Sequence, residues 1–136
     1  MALRRVLRDP EDFDRVTPDV KSDTMSDFKA KNEKLALLER RLDLKTPCVF
    51  VSKDELDAIF NEKMGILEDM GAGWRRFYER YPGAPGFIDF SRVGFDSKKE
   101  QALVYLAFEH DYMGGSTRFL VLSKAGKSWE VQKSRY

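Results

Sequence analysis

The chain has one cysteine, Cys48, in 136 residues. A single thiol closes no internal disulfide and cannot supply a cysteine-based zinc site. Packing as a small hydrophobe is its plain reading. There is also one histidine, His110. This excludes a single-chain metal site with two imidazoles, an H-E-x-x-H arrangement, and any histidine-dependent catalytic device not built on His110. An excess of either charge is missing: 24 basic and 23 acidic side chains leave a net charge of +1. Nothing in that balance steers the molecule toward nucleic acid or an anionic membrane. No apolar run approaches the ~20 residues of a membrane-spanning helix. The opening "MALRRVLRDPEDFDRV" lacks the central apolar block of a signal peptide. The chain as written therefore reads as cytoplasmic, or as secreted or periplasmic if a leader was removed. No P-loop, G-x-S-x-G or G-x-G-x-x-G motif occurs.

What is present is enough for a core. A chain of this length fits one domain and buries roughly two thirds of its unfolded surface. Apolar residues make up 42%, with ten Phe, five Tyr and two Trp, and most of the aromatic bulk follows Trp74. Residues 1–22 are charged, carry Pro10 and Pro18, and read as an irregular arm; residues 23–136 read as a single domain. Phe28, Leu35, Leu38 and Leu42 recur at helical spacing, which predicts a helix over 26–42 with Ser26 as its N-cap. "CVFV" (48–51) reads as an edge strand or an extended connector. Ser52 and Glu55 have capping-box spacing ahead of a second helix striped by Leu56, Ile59, Phe60, Met64 and Leu67. Gly71 and Gly73 are expected to break it. A short third helix, "WRRFYERY", ends at "PGAPG".

The remainder reads as a four-stranded antiparallel meander. "QALVYLAFE" is apolar on both parities, as for a central strand covered on two sides. "TRFLVLS" and "SWEVQKSRY" follow, joined by a tight turn at Gly126. The first strand, "GFIDFSRVGFD", changes phase: Ile88 and Phe90 share one parity, Val93 and Phe95 the other. A strand has a period of two, so the change requires an extra residue. A β-bulge at Ser91–Arg92 supplies it and bends the strand. Helices followed by a curled meander make an α+β fold.

Its order is similar to the cystatin-like and nuclear-transport-factor-2-like folds, in which a sheet wraps a helix. The pieces "FYERYPG", "FSRVGFD", "QALVY" and "GKSWEV" resemble a group of uncharacterised bacterial proteins over about the last 75 residues. Many of that group look secreted and carry a cysteine pair in the loop after the ALVY strand; this chain has "EHDYMGGS" there.

Candidate chemistry concentrates in "FEHDY", where Glu109, His110 and Asp111 stand at a strand end beside Gly114 and Gly115. Glu109 and Asp111 are the oxygen donors a divalent cation would use, and His110 is the general base a hydrolase would use. Against this, strand ends are polar because they meet water, and neighbouring strand residues point to opposite faces. Arg92 reads either as a solvated partner of Asp89, Glu109 or Asp111, or as an anion-binding arginine re-aimed by the bulge. Tyr105, Trp74 and Tyr78 are candidate ligand-lining aromatics whose helical or strand spacing equally suits the core. Asp96, in "DSKKE", reads as a solvated turn residue. Three functions follow. The first is a binding module for a small molecule or peptide, favoured because no catalytic constellation is complete. The second is a metal-assisted hydrolase of an ester or lactone. The third is a domain that pairs as a homodimer through its sheet face. Neither nucleic acid nor membrane is expected as a partner.

Overall fold

The computed structural model describes residues 17–34, 43–60, 70–111 and 113–135. A 3-10 turn (Thr17–Asp19) leads into helix α1 (Ser22–Lys31); α2 (Lys53–Phe60) and α3 (Met70–Arg80) follow. Strands β1 (Phe87–Phe90), β2 (Gly94–Phe95), β3 (Gln101–Glu109), β4 (Gly115–Ala125) and β5 (Ser128–Arg135) complete the order. The sheet is antiparallel with spatial order β1-β3-β4-β5, and β2 also pairs with β3. The fold is an open α+β half-barrel, as the helix-then-meander pattern predicts. Among the described residues no helix is long and apolar enough to cross a membrane.

The first helix starts four residues before the expected Ser26, and no side chain at Lys21 caps it. Its start is set from across the fold. The Gln101 side chain on β3 accepts from the Lys21 N–H (2.8 Å) and the Thr24 hydroxyl (3.0 Å). A partner 80 residues away in sequence leaves no local trace. Leu35, Leu38, Leu42, Met64 and Leu67 lie outside the described residues. The second helix starts as its spacing predicts: the Glu55 N–H donates to Ser52 Oγ (3.1 Å). The Glu55 carboxylate is turned elsewhere, accepting from the Tyr81 hydroxyl and lying 3.5 Å from Arg80. Burial and that carboxylate push the Tyr81 phenol up to about 12.

The expected break at Gly71–Gly73 does not occur, and α3 runs through both glycines. A Cβ on Gly73 would stand 2.6 Å from the Phe60 ring, so the residue is small because α2 and α3 cross there. Close approach overrides intrinsic helix propensity. Phe60, Phe87 and Trp74 then form a three-ring cluster, with Trp74 edge to face with Phe60 at 4.9 Å and stacked on Phe87 at 5.5 Å. Val51 is buried in this cluster, so "CVFV" is an extended connector and not a strand.

The expected bulge is present. Phe90 stands opposite Leu106, whereas Gly94 stands opposite Leu103. Four steps along the first strand therefore match three along β3, and one residue is extra. Polar side chains complete the interrupted ladder. The Ser91 N–H donates to the Tyr105 carbonyl (2.9 Å), and the Tyr105 N–H donates to the Ser91 hydroxyl (2.8 Å). At Arg92, the side-chain amide of Asn32 accepts from the N–H (2.8 Å) and donates to the carbonyl (3.0 Å) and to Phe28 O (2.8 Å). Gly94 lets α1 sit on the strand, since a Cβ there would lie 2.5 Å from Phe28 Cβ.

The extra residue carries buried Phe87 and Asp89 onto the same side as buried Gly94 and Asp96. That side faces the helices. Phe28, Leu103, Tyr105, Phe119 and Val121 form one cluster there, and Phe87 joins the α2–α3 cluster. The opposite face carries Ile88 and Phe90 of β1, Val104 and Leu106 of β3, and Leu120 and Leu122 of β4. Among the described residues no helix packs on it, yet Ala102 is buried there and Val104, Leu106 and Phe108 are half-buried.

Asn32→Ala removes both halves of the amide clamp while leaving the Arg92 backbone in place. Loss of about 2–3 kcal/mol of unfolding free energy is expected, read as a lower urea midpoint at unchanged slope. A midpoint within error of the parent would show that the clamp does not hold the bulge.

Candidate functional site

The "FEHDY" cluster lies on the β3–β4 connection. Glu109 is the last residue of β3, opposite Phe87 and Gly115. The chain then reverses tightly: the His110 N–H donates to Gly114 O (3.2 Å), and the Met113 N–H donates to Asp111 Oδ1 (2.8 Å). His110 Nδ1 lies 3.3 Å from Asp111 Oδ2, and both side chains are about half exposed, at 43% and 53%. Gly114 fits against the imidazole, because a Cβ would meet it at 2.2 Å. On its other side the ring tilts over Phe108, with centroids 5.5 Å apart. The Tyr78 hydroxyl donates to the His110 carbonyl and so ties α3 to this hairpin.

The arrangement brings His110 and Asp111 together and places Tyr78 on the backbone beside them. Among the described residues no group of three or more His, Cys, Asp or Glu side chains is placed to hold a metal ion. Glu109 extends toward the helix side with the other odd-numbered residues of β3. Arg92 is exposed at the bulge; among the described residues it forms no ion pair with Glu109 or Asp111. Ser91 bonds Tyr105, and His110 lies five positions beyond Tyr105, about 16 Å along the strand direction. Tyr105 and Trp74 are core residues, in the α1 and α2–α3 clusters respectively. Tyr105 meets Phe119 edge to face at 4.9 Å. Beneath α1 the rings of Phe28, Tyr105 and Phe119 pack on one another.

A groove of about 370 Å³ lies at the opposite end of the sheet, lined by Asp23, Asp27, Lys31, Phe95, Asp96, Ser97 and Lys99. Its carboxylates are occupied with holding the fold. Asp27 accepts from the Phe95 N–H (2.8 Å) and Lys31 (2.6 Å). Asp23 accepts from the N–H groups of Ser97 and Thr24, each at 3.0 Å. Asp96 accepts from the N–H groups of Glu100 (2.7 Å) and Gln101 (2.8 Å) and from Lys21 (2.7 Å). Asp96 is therefore not the solvated turn residue expected: its side chain is 2% exposed. An Asp opening a four-residue turn is a signal for capping of the N–H groups that follow, and "DSKKEQ" carried it. The Lys21–Asp96 ion pair, between residues 75 apart, gave no such local signal.

Comparison of the chain with protein-family models, with curated proteins and with solved structures found no match.

The groove predicts an acid response. The Gln101 N–H and then Lys21 hold the Asp96 carboxyl down to about 2, against an ordinary 3.8. A depressed folded-state pKa adds stability above the unfolded value and loses it as pH falls through the folded one. The thermal midpoint should therefore drop between about pH 4 and pH 2. Asp96→Asn should lower the midpoint at neutral pH and flatten that part of the curve. Parallel curves for the two proteins would remove Asp96 from the acid transition.

Proposed function

We propose that the chain is a binding module of cystatin-like or nuclear-transport-factor-2-like architecture that takes up a partner on the open face of its sheet. The "FSRVGFD" and "QALVY" signatures place it, in this reading, with the bacterial group they resemble. One observation carries the proposal: among the described residues the helices and both core clusters lie on one side, while the other side carries Ile88, Phe90, Val104, Leu106, Leu120 and Leu122, bordered on β4 by Arg118 and Lys124. Trp129 and Val131 of β5 extend that side, because Val131 stands opposite Leu122 and Trp129 lies two residues away. Phe95 and Trp129 meet across it at 5.6 Å, and Val131 is 55% exposed. Contiguous apolar surface of this kind marks interaction sites in soluble proteins. A partner's apolar segment suits an open surface better than an enclosed small molecule does.

The hydrolase reading draws less support. The described groups around the His110 imidazole are Asp111, Phe108 and Gly114, and none of them is a nucleophile suited to acyl transfer. An exposed imidazole–carboxylate pair is an ordinary feature of a hairpin end.

The proposal is tested with anilinonaphthalene sulfonate, which reports accessible apolar surface. The folded chain should bind the dye. Leu120→Gln combined with Val131→Gln should weaken binding roughly tenfold, as loss of two apolar contacts implies. His110→Ala should leave it unchanged. No dye binding by the folded chain, or undiminished binding by the double variant, would remove the open face as the docking surface.

A further inference from the structure

The two edges of the sheet are treated differently. Side chains of α1, with Asn32 just past its end, close the edge from the bulge through β2. Asp27 takes the Phe95 N–H, Asn32 takes both backbone groups of Arg92, Lys31 reaches the Val93 carbonyl (3.3 Å), and Asp23 takes the Ser97 N–H. The other edge is β5, last in the spatial order. On the side away from β4 its backbone N–H and C=O groups face no strand among the described residues. All of its side chains except Trp129 are exposed. An open edge eight residues long is a template for another strand.

The charges on β5 select which strand. Val121 stands opposite Lys133, but Leu122 stands opposite Val131, so Gln132 is an extra residue. That bulge puts Glu130 and Lys133 on the same face, with Ser123 and Val121 respectively. Their separation is three residues, which in a regular strand would place them on opposite faces.

We infer that β5 pairs antiparallel with β5 of a second copy of this chain, about a two-fold axis passing between Val131 and Gln132. In this register Glu130 faces the partner's Lys133 and Lys133 faces the partner's Glu130. Both pairs lie on one face, at the 4.5–5.5 Å Cβ spacing of opposed residues. Trp129 faces the partner's Ser134, and Ser128 faces the partner's Arg135, so no like charges are opposed. Within its own chain Lys133 bonds Asp19 at 2.6 Å yet stays 49% exposed, and an ammonium has further donors to give. A lysine and a bulge also occur on edges that repel other strands. The self-complementary order Glu130–Lys133 distinguishes an edge that accepts its own copy. Pairing there joins two sheets into one and leaves the apolar face free, so this inference is independent of the function proposed above.

Sedimentation velocity on the full chain tests it. The wild-type chain should sediment as a dimer at micromolar concentration and dissociate as salt is raised. Glu130→Lys and Lys133→Glu should each weaken the dimer roughly tenfold by placing like charges opposite each other. An equimolar mixture of the two should restore a heterodimer, because each mutated residue then faces its opposite. The double variant with both substitutions should dimerise again and guards against loss through disturbance of the Lys133–Asp19 contact. A monomeric wild-type chain overturns the inference. So does a dimer that neither single variant weakens, or single variants that stay monomeric when mixed. A dimer split by the Leu120→Gln, Val131→Gln variant alone would place self-association on the apolar face instead.

Discussion

One unpaired residue in the first ribbon of the sheet organises this protein. Between Phe90 and Gly94 the chain takes one step more than β3 does. Without that step the strand would put Phe87 and Gly94 on opposite faces, and α1 would meet a side chain where it now meets glycine. The interruption costs ladder hydrogen bonds, and an unmet backbone group in a buried place is expensive. Ser91 replaces a carbonyl with a hydroxyl, and Asn32 supplies an amide that imitates a strand edge. The bulge and the helix that seals it therefore depend on each other.

The same helix explains the polar end of the molecule. Asp23, Asp27 and Asn32 repeat at spacings of four and five, on the side of α1 that meets the β2–β3 turn. Each accepts a backbone N–H: Asp23 from the turn, Asp27 from β2 and Asn32 from the bulge. A groove rich in carboxylates results, but its geometry is that of a fastening, with each carboxylate already engaged. Among the described residues the helices thereby cover one face of the sheet, and α1 closes one edge from the bulge through β2. Among the described residues no element covers its other edge or other face, and these present different chemistry: Glu130, Lys133 and Arg135 on β5, and mostly apolar side chains across β1, β3 and β4.

Parts of this were legible in the amino-acid order because they are local. The phase change across Ser91–Arg92 follows from the period of a strand. The capping of α2 by Ser52 follows from one turn of helix. Other parts were not legible because the deciding partner is remote. Gly73 reads as a helix breaker until Phe60 is seen against it. Asp96 reads as a turn residue in water until Lys21, 75 residues before it, is seen bonded to it. Tyr105 and Trp74 read equally as ligand-lining or core residues, and only packing assigned them to the core.

By itself the order of residues determined the α+β class, the antiparallel meander, the place of the bulge and the poverty of histidine and cysteine that narrows the available chemistry. These depend on periodicity and on residue types, which act over a few positions. Tertiary structure alone decided where α1 begins, which face of the sheet the helices cover, and that Glu130 and Lys133 share a face. Those outcomes depend on contacts between segments tens of residues apart and on a second bulge in β5, and no local pattern encodes either.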